Sequence, residues 1–146
     1  MLVEDRKLNF FPRNISRYEL QSALALYDKY SSIIFDVIST IVIPGDVNDT
    51  FIEAFYVIIN SVEGYKQEYG SLRLWIMNTS RNVAIRKLIA SHNEPFEEPL
   101  TLKKTVYALY KLRNFNEAKI SNMLHIPVEL VATLLQTGIK PSTAGN

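Results

Sequence analysis

The sequence predicts an all-α fold built as two small helical domains, and three observations lead there. Apolar residues recur at helical spacing through most of the chain, strand-like alternation is almost absent, and a Pro-bounded acidic stretch, residues 92–99, interrupts the pattern. A chain of 146 residues holds one or two small cores, since single domains commonly run to about 100 to 150 residues. Hydrophobic residues make up 47% and charged residues 21%, a balance that suits a folded chain and is too apolar for a disordered one. The expected division is a helical domain over 1–91, a linker over 92–99 and a second helical domain over 100–146 that ends in a frayed tail.

Ser16 and Glu19 form an S-x-x-E capping box, in which each side chain satisfies the other residue's free backbone N–H, and Ile15 and Leu20 stand where a hydrophobic staple packs. The first helix starts there. Leu20, Leu24 and Tyr27 share one side, and the pattern resumes through Ile34, Val37, Ile38 and Ile41 until Pro44 and Gly45 stop it. The next helix spans Asp49 to Asn60. Gly64 to Gly70 is polar enough for a loop, after which Ser71 caps a long helix to about Ala90. Beyond the linker, helices are expected at Thr101 to Arg113, Asn116 to Leu124 and Val128 to Thr137, with the tail fraying from Gly138.

Composition excludes several function classes. With no cysteine, the chain has no disulfide, thiolate metal site or cysteine nucleophile. The longest apolar stretch, Ser31 to Pro44, contains Asp36, Ser39 and Thr40 and is too short to span about 30 Å of hydrocarbon, so no membrane insertion is expected. Residues 1–8 carry four charges and do not resemble a signal peptide, which leaves the cytoplasm as the expected location. The only histidines, His92 and His125, lie at the linker and at a turn with no nucleophile or ligand set at a recognisable spacing. No enzyme, cofactor or metal is expected.

Charge is distributed unevenly. Residues 1–99 hold ten Lys or Arg against thirteen Asp or Glu, whereas residues 100–146 hold six against two. Such asymmetry points one part of the chain at an anionic partner. No acid occurs between Glu68 and Glu94, while Arg73, Arg81, Arg86 and Lys87 all fall there. These cations fit either solvated helix faces or a nucleic-acid footprint.

Projected at about 100° per residue, the helix from Asp49 to Asn60 turns Phe51, Ala54, Phe55 and Ile58 toward the core. Asp49, Glu53, Tyr56 and Asn60 lie opposite, flanked by Ile52 and Val57. That mixture of acids, an aromatic ring and aliphatics suits a protein partner, or an ordinary surface helix with an untidy boundary. On the long helix, Leu72, Ile76, Thr79 and Val83 lie together, while Trp75, Asn78, Asn82 and Arg86 recur along another side. An indole, two amides and a guanidinium in one row can stack on and hydrogen-bond to unpaired bases. Trp75 is equally suited to plug the core. In the third segment Phe115, Ile120, Leu124, Ile126, Val131 and Leu135 occupy the apolar positions of a helix-turn-helix. His125 then sits in the tight turn where Gly is usual, and Pro127 near the first turn of the next helix.

From about Leu20 to Gly138, these segments together resemble the extracytoplasmic-function group of bacterial sigma factors. The family's core-binding pattern D-A-x-D-x-x-Q-E-x-F is matched by Asp46, Asp49, Glu53 and Phe55, and its promoter-melting pattern G-S-x-R-x-W-L-x-x-I-A-R-N is met by Gly70, Ser71, Arg73, Trp75, Ile76, Arg81 and Asn82. The upstream-element helix-turn-helix is matched by Phe115, Ile120, Ser121, Leu124, Ile126, Val131 and Leu135. The resemblance implies a specificity subunit of RNA polymerase that docks on the core and helps to open promoter DNA. It assigns core binding to Asp46, Asp49, Ile52, Glu53, Tyr56 and Asn60, and the melted element to Tyr65, Lys66, Arg73, Trp75, Asn78, Arg81, Asn82 and Arg86. For the upstream element it leaves Lys119, Thr133, Gln136 and Lys140. An anti-sigma factor is a further partner class that it brings.

Two departures support a rival reading. The family's core-binding glutamine is Ile52 here, and its K-S-R recognition triplet is Ala132, Thr133 and Leu134. Major-groove readout leans on Arg and Lys, so weak intrinsic DNA affinity is expected of this domain. The rival is a degenerate sigma-like regulatory module that binds polymerase or another protein without sequence-specific promoter recognition.

Overall fold

The computed structural model describes residues 17–62 and 71–139, with side-chain environments for 21–62 and 71–136. All regular structure among the described residues is helical, in keeping with the expected all-α class. The helices are α1 (Arg17–Ile41), α2 (Val47–Ser61), α3 (Leu72–Ser91), α4 (Leu102–Arg113), α5 (Glu117–Leu124) and α6 (Val128–Ile139), with a 3-10 turn, Pro44–Asp46, between α1 and α2. The Ser16 capping box and the 64–70 loop lie outside the described residues.

The chain groups into two compact units, residues 1–84 and 85–146, so the division falls inside α3. This corrects the expected boundary, which made 92–99 a free linker between 1–91 and 100–146. The reason is tertiary. Ile85, Leu88 and Ile89 on the last turns of α3 are buried, and the residues beyond them are tied down. The Glu94 N–H donates to Ile89 O at 3.2 Å, both Glu98 carboxylate oxygens accept from Arg86 at 3.0 Å, and Lys104 Nζ donates to Glu97 O and Pro99 O. Proline and acid content alone describe a linker, but these bonds make the stretch part of the second unit.

In the first unit α1 and α2 pack face to face. Ile34, Ile38 and Ile41 of α1 and Ala54, Phe55 and Ile58 of α2 are at most 1% exposed, each large side chain contributing about 1.5 to 3 kcal/mol by leaving water. Rings reinforce the seam: Tyr27 meets Phe55 edge-on at 5.5 Å and Phe51 at 6.0 Å, while Phe51 and Phe55 lie parallel at 6.3 Å. Polar groups caught in the core are satisfied locally. Thr50 Oγ1 donates to Asp46 O at 2.6 Å and Ser80 Oγ to Ile76 O at 2.8 Å, which avoids the penalty of about 1 to 3 kcal/mol for an unpaired buried hydroxyl. Ser71 Oγ accepts from the Leu74 N–H at 3.1 Å, starting α3 where the sequence places its cap.

The second unit uses short helices that need caps and a shared core, since isolated helices under about 12 residues are marginal in water. Thr101 Oγ1 accepts from the Lys104 N–H at 3.1 Å and Asn116 Oδ1 from the Lys119 N–H at 2.8 Å. Val106, Leu109, Ile120, Leu124, Val131 and Leu135 are buried, and α4, α5 and α6 all pack on one another. α5 ends at His125, which adopts the left-handed conformation (φ 59°, ψ 45°) and donates its N–H to Ser121 O. Asn114 does the same after α4 at φ 58°, ψ 31°. The Pro127 carbonyl then accepts from Leu130 and Val131 N–H at 3.1 and 3.2 Å, opening α6. α6 continues to Ile139, beyond the expected stop at Thr137, because a glycine such as Gly138 costs a helix about 1 kcal/mol without removing a hydrogen bond.

The strained histidine gives a direct check. A non-glycine residue in the left-handed region is destabilised by about 1 to 2 kcal/mol, of which about 0.5 to 1 kcal/mol is offset by the greater entropy of glycine in the unfolded chain. His125→Gly is therefore expected to raise stability by a few tenths to about 1 kcal/mol, measured by urea denaturation. A loss of stability would mean that the imidazole makes a contact that outweighs its backbone strain.

Candidate functional site

Burying Phe51, Ala54, Phe55 and Ile58 forces the other side of α2 into solvent. Asp49, Ile52, Glu53, Tyr56 and Asn60 are all exposed, with Ile52 at 43% and Tyr56 at 47%. Asp49 lies in the first turn of α2, where its charge complements the positive end of the helix. Asp46, assigned with them, is only partly exposed and accepts the Thr50 hydroxyl on its carbonyl. Beside this face runs a groove of about 800 Å3 between α1 and α2, lined in part by Tyr27, Phe35, Asp36, Asn48, Phe51 and Ile52. Phe35 is 45% exposed, with its ring 6.2 Å from that of Phe51. Phe35, Asp36 and Asn48 were not singled out from the sequence. The available signal was that Phe35 and Asp36 fall off the α1 stripe formed by Ile34, Ile38 and Ile41.

The row on α3 divides. Trp75 and Asn78 are half-buried and Asn82 is exposed, so the indole is not a fully enclosed plug. Arg81, also half-buried, donates from Nη2 to Asn78 Oδ1 at 2.6 Å, and burial lowers its pKa from the ordinary arginine value. Arg73 is exposed. Arg86 belongs to the second unit and is engaged there by Glu98 through Nε and Nη2. It does not stand as a free cation in the row. Tyr65 and Lys66 lie outside the described residues.

In the second unit the exposed side of α6 carries little that reads DNA. Thr133 and Gln136 are exposed, but the Thr133 hydroxyl donates to Glu129 O at 2.9 Å. Val128 and Leu130 are 40% and 37% exposed, and Glu129 is the only charged residue of α6. Lys140 lies outside the described residues. Lys119 is exposed with its Nζ 4.2 Å from the Phe115 ring centroid, and Arg113, not singled out from the sequence, lies 5.1 Å from that same ring. Lys111 reaches Tyr107, and the hydrogen bond to that phenol, together with the charge of Glu94, raises its pKa above the ordinary lysine value.

Among the described residues no group of three or more His, Asp or Glu side chains is placed to hold a metal ion, and no helix is long and apolar enough to cross a membrane. Comparison with known protein families, curated proteins and solved structures finds no match.

The Arg86–Glu98 pair makes a testable statement about pH. The hydrogen bond from Arg86 holds the Glu98 carboxyl below the ordinary glutamate range. A depressed carboxyl pKa contributes stability above the unfolded-state value, lost as pH falls through the folded-state value. An NMR titration is expected to place the Glu98 midpoint below those of unpaired glutamates, and Arg86→Gln to return it to their range. An unchanged midpoint in the variant would show that the guanidinium is not the cause.

Proposed function

We propose that this chain is a sigma-like specificity subunit of bacterial RNA polymerase, docking through the outward face of α2 and engaging opened promoter DNA through α3. The observation that carries the reading is the exposed set Asp49, Ile52, Glu53, Tyr56 and Asn60. Its two large apolar side chains have no folding role that requires them to face water, and the acids around them favour a basic partner surface. Half-buried Trp75 and the Asn78–Arg81 pair supply stacking and hydrogen-bonding groups in the same unit. The chain itself performs no chemistry in this reading. It places charge along phosphates and holds unstacked bases, each base–aromatic stack being worth about 1 to 3 kcal/mol.

A second reading, a sigma-like regulator that binds polymerase or another protein without reading a promoter, is favoured by one specific observation. The helix in the recognition position, α6, presents Val128, Leu130 and Glu129 and carries no Lys or Arg. Arg and Lys are the commonest specific base readers, so this helix contributes little major-groove discrimination. An anti-sigma factor fits either reading, because an inhibitor and the core would compete for the same α2 face.

The two readings separate in one experiment. Full-length protein is mixed with core polymerase, co-migration is measured, and the complex is assayed for run-off transcription on genomic fragments. Co-migration with initiation supports the first reading, co-migration without initiation the second, and absence of co-migration overturns both as polymerase partners. Ile52→Asp is expected to leave helicity intact and to weaken core binding tenfold or more, about 1.4 kcal/mol. Trp75→Ala is expected to retain core binding and lose promoter opening. If Trp75→Ala unfolds the protein in a thermal melt, the indole is structural and its stacking role is wrong.

A further inference from the structure

The positive charge of the second unit is concentrated on α4, α5 and the turn between them. From Leu100 to Leu124 the chain carries Lys103, Lys104, Lys111, Arg113 and Lys119 against the single acid Glu117, whereas α6 carries Glu129 alone. Within this stretch one arrangement stands apart. The Arg113 guanidinium lies 5.1 Å and the Lys119 ammonium 4.2 Å from the centroid of the Phe115 ring. Two cations sharing one ring lie no farther apart than about 10 Å, one Debye length at 0.1 M salt, so their repulsion is not screened away. Neither is neutralised by a carboxylate among the described residues, where Arg86–Glu98 is the ion pair present. Arg113 Nε is buried with no hydrogen-bond partner. Arg113 is half-buried, and a guanidinium whose Nε lacks a partner still has the donors of its two Nη groups to offer an anion.

The backbone explains why the two cations converge. Asn114 turns through the left-handed region and donates its N–H to Leu109 O, ending α4 directly after Arg113. Asn116 then caps α5 by accepting from the N–H of Lys119 itself. The three-residue turn presents Phe115 between the last residue of one helix and the first turn of the next. Cations held on an aromatic face keep their full charge while losing rotational freedom, an arrangement suited to an oxyanion that can bridge them.

We infer that Arg113 and Lys119, positioned on either helix by the shared Phe115 ring, form a phosphate-binding corner that grips the backbone of duplex DNA. The inference rests on reading the second unit as a DNA-facing module, and it relocates the main contact from α6 to the α4–α5 turn. Phosphate contacts position a protein on DNA without reading sequence. Binding by this unit is accordingly strong at low salt, weak in discrimination and steeply salt-dependent.

The test uses the full chain and a labelled mixed-sequence duplex, with the dissociation constant measured over a range of NaCl concentrations and no polymerase present. Each neutralised phosphate contributes about 0.9 to the slope of log K against log salt. Lys119→Gln is expected to reduce that slope by about 1, and Arg113→Gln with Lys119→Gln together by about 2. Lys103→Gln, which removes an equal charge elsewhere on α4, is expected to leave the slope nearly unchanged. Equal effects from all three positions would reduce the finding to net charge and overturn the site, as would an unchanged slope in the double variant. If the double variant fails to fold, the exposed single variant Lys119→Gln still decides the question. A parallel NMR titration with inorganic phosphate distinguishes the source of the anion. Shifts confined to residues 114–119 that vanish in Lys119→Gln, without any change in the duplex slope, would assign the corner to free phosphate and overturn the backbone contact. Failure of core binding in the co-migration assay would leave this result standing, whereas a flat slope beside normal initiation would remove the corner and leave the polymerase reading intact.

Discussion

The contact between α1 and α2 governs what the first unit can present. Ile34, Ile38 and Ile41 face a strip of Ala54, Phe55 and Ile58, and the Tyr27, Phe51 and Phe55 rings lock the rotation of α2 about its own axis. Turning α2 by even a third of a revolution would expose Phe55 and pull Asp49 or Glu53 out of water, and a buried unpaired carboxylate costs several kcal/mol. The outward set of acids, Ile52 and Tyr56 is therefore a geometric consequence of the inward strip. Its position is as well determined as the core itself.

The second unit obeys the same logic with less material. α5 has eight residues and α4 and α6 twelve each, too few to persist alone. Side-chain caps at Thr101 and Asn116 and left-handed stops at Asn114 and His125 bound the helices, and the apolar positions Val106, Leu109, Ile120, Leu124, Val131 and Leu135 join them. Once Val131 and Leu135 are committed inward, Val128, Leu130, Thr133 and Gln136 fall outward. The lack of cations on α6 is then a property of its exposed face, since none is hidden inside.

Much of this was legible in the sequence, because helical periodicity reports which face is buried. Phe51, Ala54, Phe55 and Ile58 were read as the inner strip of α2, Ser71 as the cap of α3, and His125 as the residue of the tight turn, and each occupies that place. What failed was the part that depends on partners distant in sequence. The 92–99 stretch has the composition of a tether, and nothing local reveals that Glu98 meets Arg86 twelve positions earlier or that Lys104 reaches back to Glu97 and Pro99. For the same reason Arg86 was placed in a free row with Trp75 and Asn82. Arg113 escaped notice because its link to Lys119 exists only after Asn114 reverses the chain.

One habit of the second unit bears on energetics. Lys104 lies over Phe96, Lys111 over Tyr107, and Arg113 and Lys119 over Phe115. A long flexible cation ordinarily forfeits up to about 2 kcal/mol of rotamer entropy when it is fixed against a ligand. Resting on a ring while the protein is still unbound, such a side chain has surrendered part of that freedom during folding. Attraction to an incoming anion then reaches the observed affinity with less subtraction, most of all at Phe115, where two cations rest on the same ring.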